Sequence, residues 1–381
     1  MLGPLKATRG LKGSPFLVVA LAVLVSLIAA CTQAVPATPT PLPKAVAPQE
    51  PAAKPTPAPA KEAPAAQKPP VAEKKPVALQ KMKVILTAVS SMQVVPWIAK
   101  EKGLFERYGL DVELATASGS PMAVGALMSG EAQLIVGAQD AVISANFAGS
   151  DLVFLASGPI KLTTRLLGKT GVTSPVQLKG GKVGLGRFGT SAHFGAKYSL
   201  RQLGLDPASD VTLVQLGGQP EILGALTSGA VDGAVIAPQY ARLAERQGLK
   251  ILFDTNLANL RYHTSGIIAR KSWIQGREET IRNFLKAYVE GMATAKKDKQ
   301  FAMNVIGKFT NVTDPETLAD SYGDLMAASP DKPYALTEAL KTTLDDMVDE
   351  PKAKTADPNQ FIDNRFVEEL DKSGFIDNAY K

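Results

Sequence analysis

Cysteine is nearly absent: the 381-residue chain has one, Cys31. A single thiol closes no internal disulfide, so the fold must rest on its core. No CxxC and no Cys/His cluster of zinc-ligand spacing occurs. Histidine is almost as scarce, with only His193 and His263. No metal site and no cofactor are therefore expected. Aromatic residues make up 6% of a chain that is 45% hydrophobic, so the core is built chiefly from Ala, Val, Leu and Gly. There is no GxSxG elbow, no P-loop and no paired histidines, which argues against an enzyme.

A strongly charged globular surface is also missing. The formal net charge is +6, but it is unevenly placed. Before Val84, eleven Lys and Arg face three Glu, leaving +8 there and about −2 for the remainder. A near-neutral body without a basic run has no electrostatic footprint for nucleic acid. The length suffices for one large or two medium domains.

The first 81 residues read as address and tether. Lys6, Arg9 and Lys12 precede an uncharged stretch, FLVVALAVLVSLIAA, at 16–30. This is a secretory leader pattern, shorter than the roughly 20 residues a spanning helix needs. It ends Ile28-Ala29-Ala30-Cys31, which resembles a bacterial lipobox, so Cys31 is the expected lipidation site and mature N-terminus. Residues 31–81 are dominated by Pro, Ala and Lys. They have no apolar periodicity, and such a stretch samples extended polyproline-like states. At ~3.1 Å per residue it spans on the order of 100–150 Å. The protein is expected outside the cytoplasmic membrane and held there by lipid.

From Val84 short apolar runs alternate with helical segments. Strands are predicted at 84–89, 111–116, 133–138 and 152–157, and again at 182–186, 211–216, 232–237 and 250–254. A further strand at 264–270 returns to the first unit. Helices fall between them at 121–129, 139–148, 190–203, 220–228 and 239–247. Repeated β-α-β argues for parallel, doubly wound sheets. Amphipathic helices follow near 275–297, 299–308, 314–327, 335–349 and 358–372. A repeat supports two similar lobes: PMAVGALMSG at 121–130 aligns, 99 positions on, with PEILGALTSG at 220–229. Two such units facing one another bring two sets of strand ends to one cleft, where open α/β sheets bind ligands.

The stretches GLFERYGLDVELATASGS (103–120), GALMSGEAQLIVGA (125–138), LKGGKVGLGRFGTSAHF (178–194) and GALTSGAVDGAVIAP (224–238) resemble the nitrate/taurine/sulfonate (NitT/TauT) class of substrate-binding proteins, which is similar to the thiamine-pyrimidine precursor binders. The resemblance covers roughly residues 82–300. It implies the type II periplasmic-binding-protein fold, with two doubly wound α/β lobes, a ligand cleft between them and a helical C-terminal extension. The expected limits are 82–164 with 264–381 for lobe 1 and 165–263 for lobe 2. It further implies a small-molecule ligand and an ABC permease and ATPase as partners; a monomer is the default expectation. A ligand-sensing lipoprotein that signals to a membrane receptor has the same features and is the alternative. A related fold makes pyrimidines in the cytoplasm, but an exported, tethered chain is in the wrong place for that.

Candidate ligand contacts lie in loops after strands. Ser90, Ser91, Met92 and Gln93 follow the first strand, with hydroxyls and an amide for a polar head group; helix capping is the plainer role of the serines. Gly189, Thr190 and Ser191 open a helix whose free N–H groups suit an anion or carbonyl, and they match the family's Gly-Ser-Ser-Ala-His stretch. Gln139 and Asp140 follow 133–138, Gln219 precedes the repeat helix, and Gln239 and Tyr240 follow 232–237. Relatives often carry an acidic residue or tryptophan before Pro238. Here it is Ala237, which argues against an amine anchored by a carboxylate. Arg165 and Arg187 are candidates to pair with a carboxylate or sulfonate, though a solvated surface charge is the commoner role. Trp97, Phe188 and Tyr240 are the few rings able to stack on a ligand, Trp97 more as a core residue. His193 fits a packed histidine better than a ligand contact.

Overall fold

The computed structural model describes residues 78–381 apart from residues 138, 259, 348 and 349. The leader, Cys31 and the tether through residue 77 lie outside the described residues.

Buried runs of Val, Ile, Leu and Ala form the strands. In chain order these are β1 (Gln80–Leu86), β2 (Leu110–Thr116), β3 (Leu134–Gly137), β4 (Leu152–Ala156), β5 (Arg165–Gly168), β6 (Lys182–Leu185), β7 (Thr212–Gln215), β8 (Gly233–Ile236), β9 (Lys250–Asp254) and β10 (Gly266–Arg270). They make two five-stranded sheets, ordered β2-β1-β3-β10-β4 and β7-β6-β8-β5-β9. The topology is the same in both, with one difference of direction from the sequence reading. The sheets are mixed, because β10 runs antiparallel to β3 and β4, and β5 antiparallel to β8 and β9. These two are the strands that carry the chain from one lobe into the other. β5 was not read as a strand from its own residues; no helix separates it from β4, so it stands outside the β-α-β alternation.

The helices between strands are α1 (Val95–Glu101), α2 (Leu104–Arg107), α3 (Ser120–Ser129) and α4 (Gln139–Phe147) on the first sheet, then α5 (Ser191–Gln202), α6 (Gln219–Thr227) and α7 (Pro238–Arg246) on the second. The 99-residue repeat is a structural repeat: β3 maps onto β8 and α4 onto α7 at that offset. Gly130 and Gly229, which end the repeat helices, both turn the chain with positive φ, +80° and +76°, a conformation that costs other residues more. Apolar clusters cover both sheets, so the strands read as continuous rather than alternating apolar runs.

After β10 come α8 (Lys271–Ile274), α9 (Glu278–Lys297), α10 (Lys299–Thr310), α11 (Pro315–Ala328), α12 (Thr337–Asp346), α13 (Arg365–Lys372) and α14 (Phe375–Tyr380). Helix α9 lies on the first sheet, with Phe284 stacked on Phe105 at 5.2 Å. Helix α11 has two faces. Leu325 and Ala328 pack with Met92, Ile98 and Ile306 of the first lobe. Its carboxylates meet arginines of the second: Asp314 and Glu316 pair with Arg246, and Asp320 with Arg242.

Those pairs are half-exposed and individually worth little. Arg165 is different. It is 2% exposed and holds Asp254 of β9 at 3.0 Å and Asp324 of α11 at 3.1 Å. It is therefore neither a ligand contact nor a solvated charge. The Arg165→Met variant leaves two partly buried carboxylates without a counter-charge. It is expected to lower the unfolding free energy by about 3–5 kcal/mol, read from urea midpoints; a loss under about 1 kcal/mol would show that the triad carries no such weight.

Candidate functional site

The carboxyl ends of the two sheets face one cleft of about 540 Å³. Its walls are the loops after β1, β2, β6, β7 and β8, the crossover residues Thr163, Thr164 and Thr264, and the end of α10. The crossovers at the base are zipped together. Tyr262 N donates to Ile160 O at 3.0 Å, and Gly158 N to Ser265 O at 2.8 Å.

In the loop after β1, Ser90, Met92 and Gln93 line the cleft. Ser90 Oγ caps the next turn by accepting from Met92 N at 3.3 Å. Gln93 folds back on its own loop: Oε1 accepts from Ala88 N, and Nε2 donates to Thr87 Oγ1 at 2.9 Å. Ser91 faces the interior, fully buried.

After β6, Arg187, Thr190 and Ser191 line the cleft, while Gly189 does not. Thr190 Oγ1 donates to Arg187 O at 2.7 Å. His193 supports this loop from behind. Its Nδ1 accepts from Gly189 N, Phe188 meets it edge-on, and burial holds it down to about 4, so it is neutral near pH 7. Gln219 and Tyr240 line the opposite part. Gln219 Oε1 accepts from Ala237 N at 2.8 Å, and its Nε2 group is left to donate into the cleft. Trp97 packs on Phe309 at 5.5 Å and does not line the cleft.

Gln139, Asp140 and Gln239 are also away from it. Gln139 is enclosed by α12, donating to Ala339 O and Thr343 Oγ1 at 2.6 Å and accepting from His263 N at 3.1 Å. Gln239 is fully buried, with neither amide atom bonded. Asp140 accepts from the Tyr262 hydroxyl beside Lys197 and Asp346.

Sequence reasoning passed over three parts of the wall. Ser118-Gly119-Ser120 follows β2 and opens α3, the same signal that marked residues 189–191. Threonines Thr163, Thr164 and Thr264 belong to crossovers whose position depends on topology. Phe309-Thr310-Asn311 comes from the extension, and no local pattern places it at a cleft. Asn311 is the one non-glycine residue with positive φ among the described residues, at 57°.

Four helices of nine to twelve residues, α3, α5, α6 and α7, begin at this cleft. Their unpaired N–H groups and dipoles make it electropositive. Among the described residues, Arg187 is the only charged side chain lining the cleft, and no carboxylate joins it. No group of three or more metal-ligating side chains occurs among the described residues. The arrangement suits a small anion or a polar acceptor and offers no nucleophile paired to a base.

A family profile described as NMT1/THI5 like matches residues 94–302. The chain belongs to the NMT1/THI5-like family. It is 26% identical over 289 residues to the binding protein YtlA of Bacillus subtilis, covering 72% of this chain and 85% of that one. It is 24% identical over 154 residues to an ABC transporter periplasmic binding protein of Brachyspira hyodysenteriae, spanning 40% of this chain and 42% of the relative. The periplasmic aliphatic sulphonate binding protein SsuA of Escherichia coli shares the fold at a TM-score of 0.57 and 19% identity, with 78% of this chain and 94% of that one covered. Like these, the NMT1/THI5-like chain has the periplasmic-binding-protein architecture, and no helix among its described residues is long and apolar enough to cross a membrane.

Burial pushes the Asp140 carboxyl up to about 6. The folded state therefore holds that proton more tightly than the unfolded chain. Stability falls as pH rises from about 4 to about 6 and stays reduced above. Asp140→Asn keeps an acceptor for Tyr262 and removes this cost. Melts should show the variant more stable by about 1–3 kcal/mol at pH 7.5 and equal at pH 3.5; equal stability at both would refute the assignment.

Proposed function

We propose that this protein is an extracytoplasmic solute-binding lipoprotein that captures a small anion-like ligand and delivers it to an ABC importer. The carrying observation is the cleft: four helix N-termini, a ring of hydroxyls and one arginine, with no lining carboxylate. A sulfonate, nitrate, carboxylate or polar heterocycle meets those donors; an amine does not. Capture proceeds by hinge closure of lobe 1 (82–164 with 264–381) and lobe 2 (165–263) about the crossovers. A ligand touching both lobes favours the closed form by its differential affinity for it. No covalent step is assigned to the chain. The importer reading draws on the family and on a relative named as an ABC transporter periplasmic binding protein, and the sulfonate reading on the name of a structural neighbour.

A thermal-shift screen of taurine, alkanesulfonates, nitrate, aromatic carboxylates, pyrimidines and amino acids tests the reading. A ligand at 100 times its Kd adds about 2.7 kcal/mol and should raise the midpoint by several degrees. Anions should give the saturable hits; a hit confined to amines would overturn the anion assignment.

Anchoring has its own test. The Cys31→Ser variant is expected to leave the membrane fraction and to lose incorporation of a labelled fatty acid. Retention in the membrane with the label intact would remove Cys31 as the lipid site.

A further inference from the structure

We infer that Arg187 sets the cleft's selectivity for ligand charge and does so from the lip, where the two lobes touch. The inference rests on reading the cleft as a ligand site. Nearby cations of lobe 2 are already committed: Lys197 and Arg201, both on α5, pair with Asp346. Arg187 has no such carboxylate among the described residues. The one polar partner of its side chain there lies across the cleft, where Nε donates to Ser118 Oγ of lobe 1 at 3.0 Å.

An exposed arginine with one hydroxyl partner is ordinarily a solvated arm. Here the stem is packed against the opposite lobe. Gly119, at φ +102°, faces it directly: a Cβ on Gly119 would stand 3.3 Å from Arg187 Cδ and 3.2 Å from Thr190 Cγ2. That approach is closer than most side chains tolerate, so the bare backbone of Gly119 is what lets the lip close over Arg187. With the stem pinned and Nε used, the Nη1 and Nη2 groups remain. They form a planar fork suited to two oxygens of one sulfonate or carboxylate. The cleft therefore presents one counter-charge, for one negative charge. A neutral molecule of the same shape finds the same hydroxyls but leaves the guanidinium without an ion partner.

The test is calorimetric titration of the full chain with 1-butanesulfonate and 1-butanesulfonamide, matched in length and differing in charge. Wild type should prefer the sulfonate by about 10- to 100-fold, the range of one charge-assisted hydrogen bond. Arg187→Gln should bring the two probes to within about threefold, and Arg187→Lys should restore an intermediate ratio. Ser118→Ala should weaken both probes alike, because it loosens the lip and keeps the charge. A ratio unchanged in Arg187→Gln, or lost equally in Arg187→Lys, overturns the role of Arg187. Equal binding of the two probes by wild type overturns charge selection. Binding of neither probe by wild type overturns sulfonate selection by Arg187; the broader anion reading is then decided by the nitrate and carboxylate arms of the thermal-shift screen.

Discussion

The contact of α11 with the second lobe centres on Arg165. A guanidinium taken almost wholly out of water is tolerable only if its charge is met on the spot. Here β9 and α11 each supply a carboxylate to the first residue of β5. That requirement fixes α11 against the second lobe at the point where the chain has just crossed over. The opposite face of α11 is fixed by apolar packing in the first lobe. One helix is thus bound to each lobe by a different force, one electrostatic and local, the other hydrophobic and diffuse. Because α10 leads into α11, the same restraint delivers Thr310 and Asn311 to the cleft wall.

The repeat explains why the cleft is asymmetric. Helices α4 and α7 are equivalent by position, and both begin just after an inner strand. Around α7 the entry residues Ala237, Pro238 and Tyr240 reach the cleft. Around α4 the equivalent Gln139 is enclosed by α12, and Asp140 is drawn to Tyr262. Lobe 1 thus carries a helical extension that seals one of its strand ends. The doubled unit supplies two sets of donors, and the extension decides which of them a solute can meet.

Much of the architecture was legible in the sequence. Most strands of the two repeated units announced themselves by short apolar runs, and the Gly-capped repeat gave the two-lobe plan. Two things escaped. The antiparallel crossover β5 escaped because no helix separates it from β4, so it stands outside the β-α-β alternation. Part of the cleft wall escaped because residues such as Thr163 and Asn311 reach it only through tertiary placement. Of the residues singled out in advance, Ser90, Met92, Gln93, Arg187, Thr190, Ser191, Gln219 and Tyr240 lie on the wall. Ser91, Gly189, Gln139, Asp140 and Gln239 do not. The difference is physical: a polar residue after a strand end can be turned inward by a neighbour that needs its hydrogen bonds, and sequence spacing carries no record of that neighbour.

The position of β10 bears on how the molecule is made. It lies between β3 and β4 in the sheet, yet it follows them by more than a hundred residues in the chain. A chain emerging from its N-terminus completes β5 through β9, the whole second sheet, while the first still lacks an inner strand. Until residue 270 arrives, β3 and β4 are open edges with unpaired backbone groups, the usual templates for misassembly. The late strand therefore acts as a biosynthetic delay on the first lobe. A chain still unfinished there is easier to keep unfolded, and its aggregation hazard is concentrated in that same interval.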